Sequence, residues 1–472
     1  MSLEKLKAIV HQTAQSDFVP PPEVGSKWTQ LSYVDYSKIQ FRPNQALWSG
    51  TERPFQIAFM HPGYVHRHTV EMSEISAETE NALSYSTNLF DYGPETTRAG
   101  AGYPSGFAGF KIVSTVNGVQ EMGSFIGASY FRFLGSNQVY GLSARGLALD
   151  VLHDEEFPLF RRFWLQRPDR DAAELLLFAL LDSPSIVGGF EFRITPGATA
   201  VTRVQAYFKP RGGIREPGIA PLTSMFLHDD NGRDLHHDFR PEVHDSDGLL
   251  LHTGSGQWIW RPLDKGRMLR VNAYADDGPR GFGLMQRDRD FTHYEDPIAS
   301  FERRPSAWVE PLGSWGKGAV VLVQLPSDRE FSDNVVAYWR PERPADSTQP
   351  WHYAYAIHWT TNRVVPGNLA SVVSSRVGVV VVEPPKPQPN LRFVIDFGGG
   401  KLDEKSQPRA VVDIGPGATK VAESLYFVRE TGLWRLVIEI TQPELLLAMD
   451  LNAVLHLDHK ISSERWTFTW QP

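Results

Sequence analysis

Between His228 and Arg261 the chain carries His228, Asp229, Asp230, Asp234, His236, His237, Asp238, His244, Asp245, Asp247 and His252. Imidazoles and carboxylates bind metals and move protons near neutral pH, so this stretch is the first place to look for chemistry. A metal centre is not specified by the spacing. There is no helical His-x-x-x-His pair, and Asp245-Ser246-Asp247-Gly248 lacks the downstream ligands of a calcium loop. Residues of this kind also close turns through their side chains, and no metal or cofactor is expected. Breaking a glycosidic bond asks for something simpler. One carboxylic acid protonates the leaving oxygen and a second carboxylate activates water or attacks. Asp245, before a strand expected from Leu249, and Asp333, before one expected over Val335 to Trp339, both stand in loops at strand entrances. A scaffold holds a reactive group well at such places. By type and position alone, each is equally an Asx turn or a strand-start cap.

Seven tryptophans, Trp258, Trp260, Trp308, Trp315, Trp339, Trp351 and Trp359, fall in one part of the chain. Sugar rings pack their C–H faces on indoles, but aromatic residues also dominate sandwich cores through the area they bury. Other signatures are missing. The glycines of 101–110 are followed by no helix signal and so form no dinucleotide fingerprint, and there is neither a Walker loop nor a Gly-x-Ser-x-Gly elbow. Cysteine is absent, which excludes disulfides, thiolate nucleophiles and cysteine metal sites. The formal net charge is -8 with no block of Lys or Arg, so nucleic acid is not an expected partner. No apolar run reaches the roughly 18 residues of a membrane-spanning helix, so no span is expected.

The elements that must position these groups read as strands. The 472 residues exceed what one core usually supports, and two domains are the first expectation. A short amphipathic helix carrying Leu3, Leu6, Ile9 and Val10 ends before Pro20, Pro21 and Pro22. Beyond it, Gln56–Met60, Val187–Ile194 and Thr199–Phe208 have the β-branched and aromatic content of strands, and Tyr353, Tyr355, Ile357 and Trp359 alternate with Ala354, Ala356 and His358. Ala172–Leu181 reads as a helix, with a strand as the alternative. Ser424–Val428 and Trp434–Ile440 flank Glu430, Thr431 and Gly432 as a hairpin, and Leu391–Phe397 runs into three glycines. The last hundred residues thus suggest a small sandwich, and composition puts its linker at the proline run 384–389.

Two sets of motifs go further. Gly106-Phe-Ala-Gly-Phe110, Gly127-Ala-Ser-Tyr-Phe-Arg132 and Val139-Tyr-Gly-Leu-Ser-Ala-Arg-Gly-Leu147 form the first. The second comprises Ala220-Pro-Leu-Thr-Ser-Met-Phe226, Arg240-Pro-Glu-Val-His-Asp245, Trp258-Ile-Trp-Arg-Pro262, Arg304-Pro-Ser306, Trp315-Gly-Lys-Gly318, Asp333-Asn334 and Ala337-Tyr-Trp339. In order and spacing they resemble the periplasmic glucan biosynthesis proteins of the OpgG and OpgD family, also called MdoG and MdoD. The resemblance implies an all-β protein. A large N-terminal β-sandwich over 1–360 would be followed by a linker at 361–371 and an immunoglobulin-like sandwich over 372–472, which displaces the proline-run boundary. It also implies the periplasm, with the signal already removed, and a β-glucan as the partner molecule. A homodimer is the other partnership considered.

By the same resemblance, Asp333 takes the general-acid position and Asp245 the general-base position of an anomer-inverting endo-β-1,2-glucanase. The proton route in such enzymes is indirect, so the carboxylates are free to lie farther apart than about 6.5–9.5 Å. Trp258, Trp260, Arg261, Tyr338, Trp339 and Phe301 are the candidate substrate-binding residues. Phe301 departs from relatives that carry Tyr, and this motivates a second reading, a transglycosylase that branches or cyclises the glucan. A non-catalytic glucan-binding module is the third.

Overall fold

The computed structural model describes residues 1–93, 102–116, 118–229, 231, 238–266, 268–342, 348–381, 389–441 and 448–471. Most of the proline run, together with Asp230, Asp234, His236 and His237, therefore lies outside the described residues. The all-β expectation holds: 48% of the chain is strand and 7% helix.

Two large sheets face one another. The first has ten strands and runs from Phe55–Met60 through Tyr130–Phe133, Ser143–Arg145, Pro217–Ser224 and Val335–Pro341 to Arg270–Asp277. The second has fifteen. It runs from Glu80–Ala82 through Leu175–Asp182, Ile186–Thr195, Ala200–Pro210, Trp351–Thr360, Ser306–Pro311 and Gly248–His252 to Trp258–Pro262 and beyond. Aromatic edges knit the two inner faces together. Phe110 meets Phe163 at 5.0 Å and Phe125 meets Phe192 at 5.1 Å, both edge to face, the arrangement that ring quadrupoles prefer. Ala200–Pro210 shows the inward-outward alternation expected of a strand with one face in the core.

The stretch read first as a helix is instead the strand Leu175–Asp182. Its apolar side chains are needed on both faces. Leu175 and Leu177 enter the main core, while Phe178 packs with Leu6 of the N-terminal helix on the outer face. Burial on two sides erases the period-2 signal that would have announced a strand. That helix, Leu3–Ala14, lies almost on the backbone of Ile186–Thr195. A Cβ on Gly189 would stand 2.9 Å from both Leu6 Cγ and Val10 Cγ2, so only glycine permits the approach. Arg211 fastens its end, donating to Asp182 at 2.8 Å and to the Thr13 and Ser16 carbonyls at 3.1 Å each.

The C-terminal hairpin forms as read, from Lys420–Val428 and Leu433–Ile440, with Gly432 at φ 70° in its turn. These strands join Ser371–Val379 and Leu391–Gly398 in a four-stranded sheet. The remaining strands do not stand apart. Arg409–Ile414, Met449–Leu457 and Arg465–Trp470 extend the fifteen-stranded sheet, because Arg465–Trp470 pairs in parallel with Trp258–Pro262 through Ile259 to Arg465 and Trp260 to Trp466. A second core cluster accordingly mixes Trp260, Met285 and Trp308 with Phe393, Ile438 and Trp466.

One ion pair anchors this junction. The fully buried Glu464 takes two bonds from Arg287, at 2.6 and 2.8 Å, and one at 2.9 Å from the Val372 N–H. Charge-assisted bidentate pairs of this kind are strong, and removing one partner strands the other charge. Glu464→Ala is expected to cost about 3–5 kcal/mol, read as a lowered midpoint in denaturant unfolding followed through the C-terminal strands. A change below 1 kcal/mol would show that the pair does not hold the junction.

Candidate functional site

Asp245 and Asp333 come from different sheets. Asp245 follows the short strand Val243–His244 and leads into Gly248–His252 of the fifteen-stranded sheet. Asp333 stands just before Val335–Pro341 of the ten-stranded sheet. Three bonds close the gap between the strand ends. The Asn334 side chain accepts from the Phe226 N–H at 2.9 Å and donates to the carbonyls of Phe226 at 2.9 Å and Leu325 at 3.1 Å. Ser224 Oγ meets Ser246 Oγ at 2.8 Å, and the Asp245 N–H donates to the Met225 carbonyl at 2.8 Å. All of Ser224, Met225, Phe226, Asp245, Ser246 and Asn334 are buried, so these bonds are made away from competing water.

The two carboxyls have different surroundings. Asp245 is 6% exposed and its Oδ1 receives the Arg304 guanidinium. Burial pushes its carboxyl above the usual aspartate range, and the Arg304, His244 and Arg132 charges pull it back. Asp333 is exposed, with Arg132, Arg145 and Asp245 near enough to act on its charge. Loss of hydration raises its carboxyl first, the Asp245 charge raises it further, and Arg132 and Arg145 oppose both. The two acids are therefore close enough to sense each other.

Arg304 is held in place by its own loop. It follows the turn Phe301–Arg303, which begins at Ser300 in the left-handed region with φ 47°. Its guanidinium donates to the Ala299 carbonyl at 3.3 and 3.2 Å and lies 4.0 Å from the centre of the Phe301 ring. Arg145, 2% exposed, pairs with Glu155 at 2.7 Å and lies over Tyr130 at 5.4 Å. Tyr130 in turn feels the Asp333 charge, and Arg132 rests over Tyr140 at 5.3 Å. Sequence reading quoted the motifs containing Tyr130, Arg132, Arg145 and Arg304 but gave these residues no role. A charged or aromatic residue within a glycine-containing motif is the signal that could have found Tyr130, Arg132 and Arg145, and the arginine that opens Arg304-Pro-Ser306 the signal for Arg304.

Arg240 ties the loops around the site together. It bonds Asp238 at 2.8 Å, Asp296 at 3.0 Å and Glu330 at 2.9 Å, which joins the approaches to Asp245, Arg304 and Asp333. His244, fully buried beside Asp245, lies between Glu242 at 2.7 Å and Gln286 at 2.8 Å. Burial pulls its imidazole down, but the Glu242 carboxylate and the Asp247 charge outweigh that and lift it to about 9.

The other candidates are placed differently. Trp260, Arg261, Tyr338, Trp339 and Phe301 are all buried and present no open face for a sugar ring at the aspartate pair. Trp260 carries the Arg287 guanidinium at 3.6 Å, Arg261 lies over Phe468 at 5.0 Å, and the Tyr338 hydroxyl bonds Glu216. Trp339 packs 6.2 Å from Trp315 in the main core, and Phe301 stacks on Tyr294 at 5.6 Å beneath Arg304. Trp258 alone of the six is half-buried, sandwiched by His252 at 4.1 Å and Trp308 at 5.6 Å. Tyr338 and Trp339 thus hold the strand that presents Asp333, and Phe301 supports Arg304.

Among the described residues, donor atoms of Glu242, Asp288 and His293 lie within 4.8 Å of one another, a spacing that could hold a cation. His244 and His293 already bond two of these acids. The described histidines and aspartates of 228–252 have local partners too. His228 bonds the Arg240 carbonyl, Asp229 caps Asn231, and His252 stacks on Trp258.

Comparison with known proteins places the chain among relatives along its whole length. Residues 1–470 match the family model described as "Periplasmic glucan biosynthesis protein, MdoG". A "Probable glucans biosynthesis protein D" of Shewanella oneidensis is 38% identical over 477 residues, covering 99% of this chain and 88% of that protein. A "Glucans biosynthesis protein G" of Sodalis glossinidius is 39% identical, covering 95% and 89%. A "Glucans biosynthesis protein D 1" of Ralstonia nicotianae is 39% identical, covering 96% and 87%. The motifs that surround Asp245, Arg304 and Asp333 are thus part of a match that spans both sheets, and the chain belongs to the periplasmic glucan biosynthesis protein family.

Proposed function

We propose that the protein is a periplasmic, anomer-inverting endo-β-1,2-glucanase of osmoregulated glucan biosynthesis. Asp333 is its general acid and Asp245 its general base. In this reading residues 1–360 form the glucan-active sandwich, 361–371 the linker and 372–472 an immunoglobulin-like partner. The observation that carries it is the unequal treatment of two neighbouring carboxyls. Burial raises both, but Arg304 holds Asp245 toward its charged form while that same charge pushes Asp333 toward its protonated form. A carboxyl held toward its charge by a guanidinium suits a proton acceptor, and a neighbour raised by that charge suits a proton donor. Asp333 then protonates the glycosidic oxygen as the C–O bond breaks. Asp245 takes the proton from the water that attacks the anomeric carbon from the opposite face.

The transglycosylase reading draws on Phe301. Its ring is fully buried beneath Arg304 and offers no oxygen near Asp245 to relay a proton from water. In that version a sugar hydroxyl replaces water as the nucleophile. Product analysis on linear β-1,2-glucan separates the two: short reducing oligosaccharides mark hydrolysis, and new branches or rings mark transfer.

Asp333→Asn is expected to lower turnover of linear β-1,2-glucan by about 10²–10⁴-fold with binding retained, and unchanged turnover would remove Asp333 from the acid role. Arg304→Gln takes away the charge that lowers the Asp245 carboxyl, so the acidic limb of the kcat/KM profile should move to higher pH. An acidic limb that stays in place would mean that Asp245 is not the base.

A further inference from the structure

The largest cavity among those described is not at the aspartate pair. It encloses about 760 Å³ between the large sandwich and the four-stranded C-terminal sheet, against about 70, 150 and 320 Å³ for the others. That size suits a small-molecule or oligosaccharide ligand, since such sites usually span about 300–1,000 Å³. One wall is the segment around His244 and Asp247, and the opposite wall is Ser371–Val379 with Asp396 and Arg435.

The walls mix apolar with charged side chains, and many of the charges are matched within the protein. Arg435 pairs with Asp396 through two bonds of 2.8 Å, and Arg287 pairs with Glu464. His244 meets Glu242, and His293 meets Asp288. One carboxylate and one guanidinium keep open hydrogen-bonding positions: Asp247 Oδ1 and the Arg289 Nε and Nη2 are buried with no partner, so an anion would face Asp247 and a metal ion would face Arg289. Both residues line the cavity, and buried polar groups left unpaired call for a donor or an acceptor. Hydroxyl groups supply both at once.

We propose that this cavity is a second carbohydrate site. Resting on the β-1,2-glucan reading above, its occupant is a run of neutral glucan held apart from the bond being cut. The wall is tied to the aspartate pair from two directions. Asp247 is two residues from Asp245, and Arg289 donates to the carbonyls of Glu302, at 2.9 Å, and of Arg304, whose guanidinium meets Asp245. A chain seated here would brace the loops that hold the base and its cation.

The test uses the full-length Asp333→Asn protein, so that the ligand survives, titrated calorimetrically with short linear β-1,2-gluco-oligosaccharides. Two sites are expected. Adding Asn362→Trp and Val373→Trp, both exposed residues of the cavity lining, should leave one. In Asp333→Asn itself the oligosaccharide should slow amide hydrogen exchange across Ser371–Val379, and in the triple variant it should not. A stoichiometry of one in both proteins, or exchange in that strand untouched by oligosaccharide, overturns the second site. Displacement of the oligosaccharide from the cavity by inorganic phosphate overturns the neutral-ligand assignment. The glucanase reading is judged separately, by whether the parent protein turns over linear β-1,2-glucan.

Discussion

The buried side chain of Asn334 helps close the gap between the strand ends that carry Asp333 and Asp245. It accepts from the Phe226 N–H and returns a bond to the Phe226 carbonyl, so one amide mimics a pair of backbone ladder bonds. Because Phe226 pairs with His244, the position of Asp333 is fixed against the strand that delivers Asp245. An apolar interface alone would not do this, because hydrophobic contact is roughly proportional to area and indifferent to small slips. Directional bonds between buried groups resist such slips. The Ser224 to Ser246 contact and the bond from the Asp245 N–H to Met225 repeat the same solution one residue away.

Around this seam the charges form a graded series. Arg304 touches Asp245, Arg132 influences both aspartates, and Arg145, held by Glu155, acts on Asp333. Arg240 then gathers three loops by their acids. Its partners are themselves partly buried, so these pairs act in a lower dielectric than surface salt bridges and hold geometry as well as charge. The C-terminal strands are joined just as firmly, through a parallel continuation of the large sheet and the buried Arg287 to Glu464 pair.

Much of the secondary structure was legible from side-chain period. Ala200–Pro210 and Trp351–Thr360 bury one face, and the turn at Gly432 needs a residue tolerant of positive φ. Leu175–Asp182 was misread at first because an N-terminal helix covers its outer face, a fact about distant residues that no local window contains. The same limit applied to the aromatic residues. Trp260, Tyr338 and Trp339 carry the residue types of a sugar platform, and only packing shows that they are core.

By itself the sequence determined the all-β class and the family, and its motifs singled out two aspartates for the proposed chemistry. Those are properties of residue type, order and spacing, which are written along the chain. Tertiary structure decided that Asp245 and Asp333 sense each other, that Arg304 favours one of them, and that a large cavity lies between the sandwich and the C-terminal sheet. Each of these depends on distances between residues far apart in sequence. Such distances arise only when two sheets pack and their loops are pinned by buried hydrogen bonds.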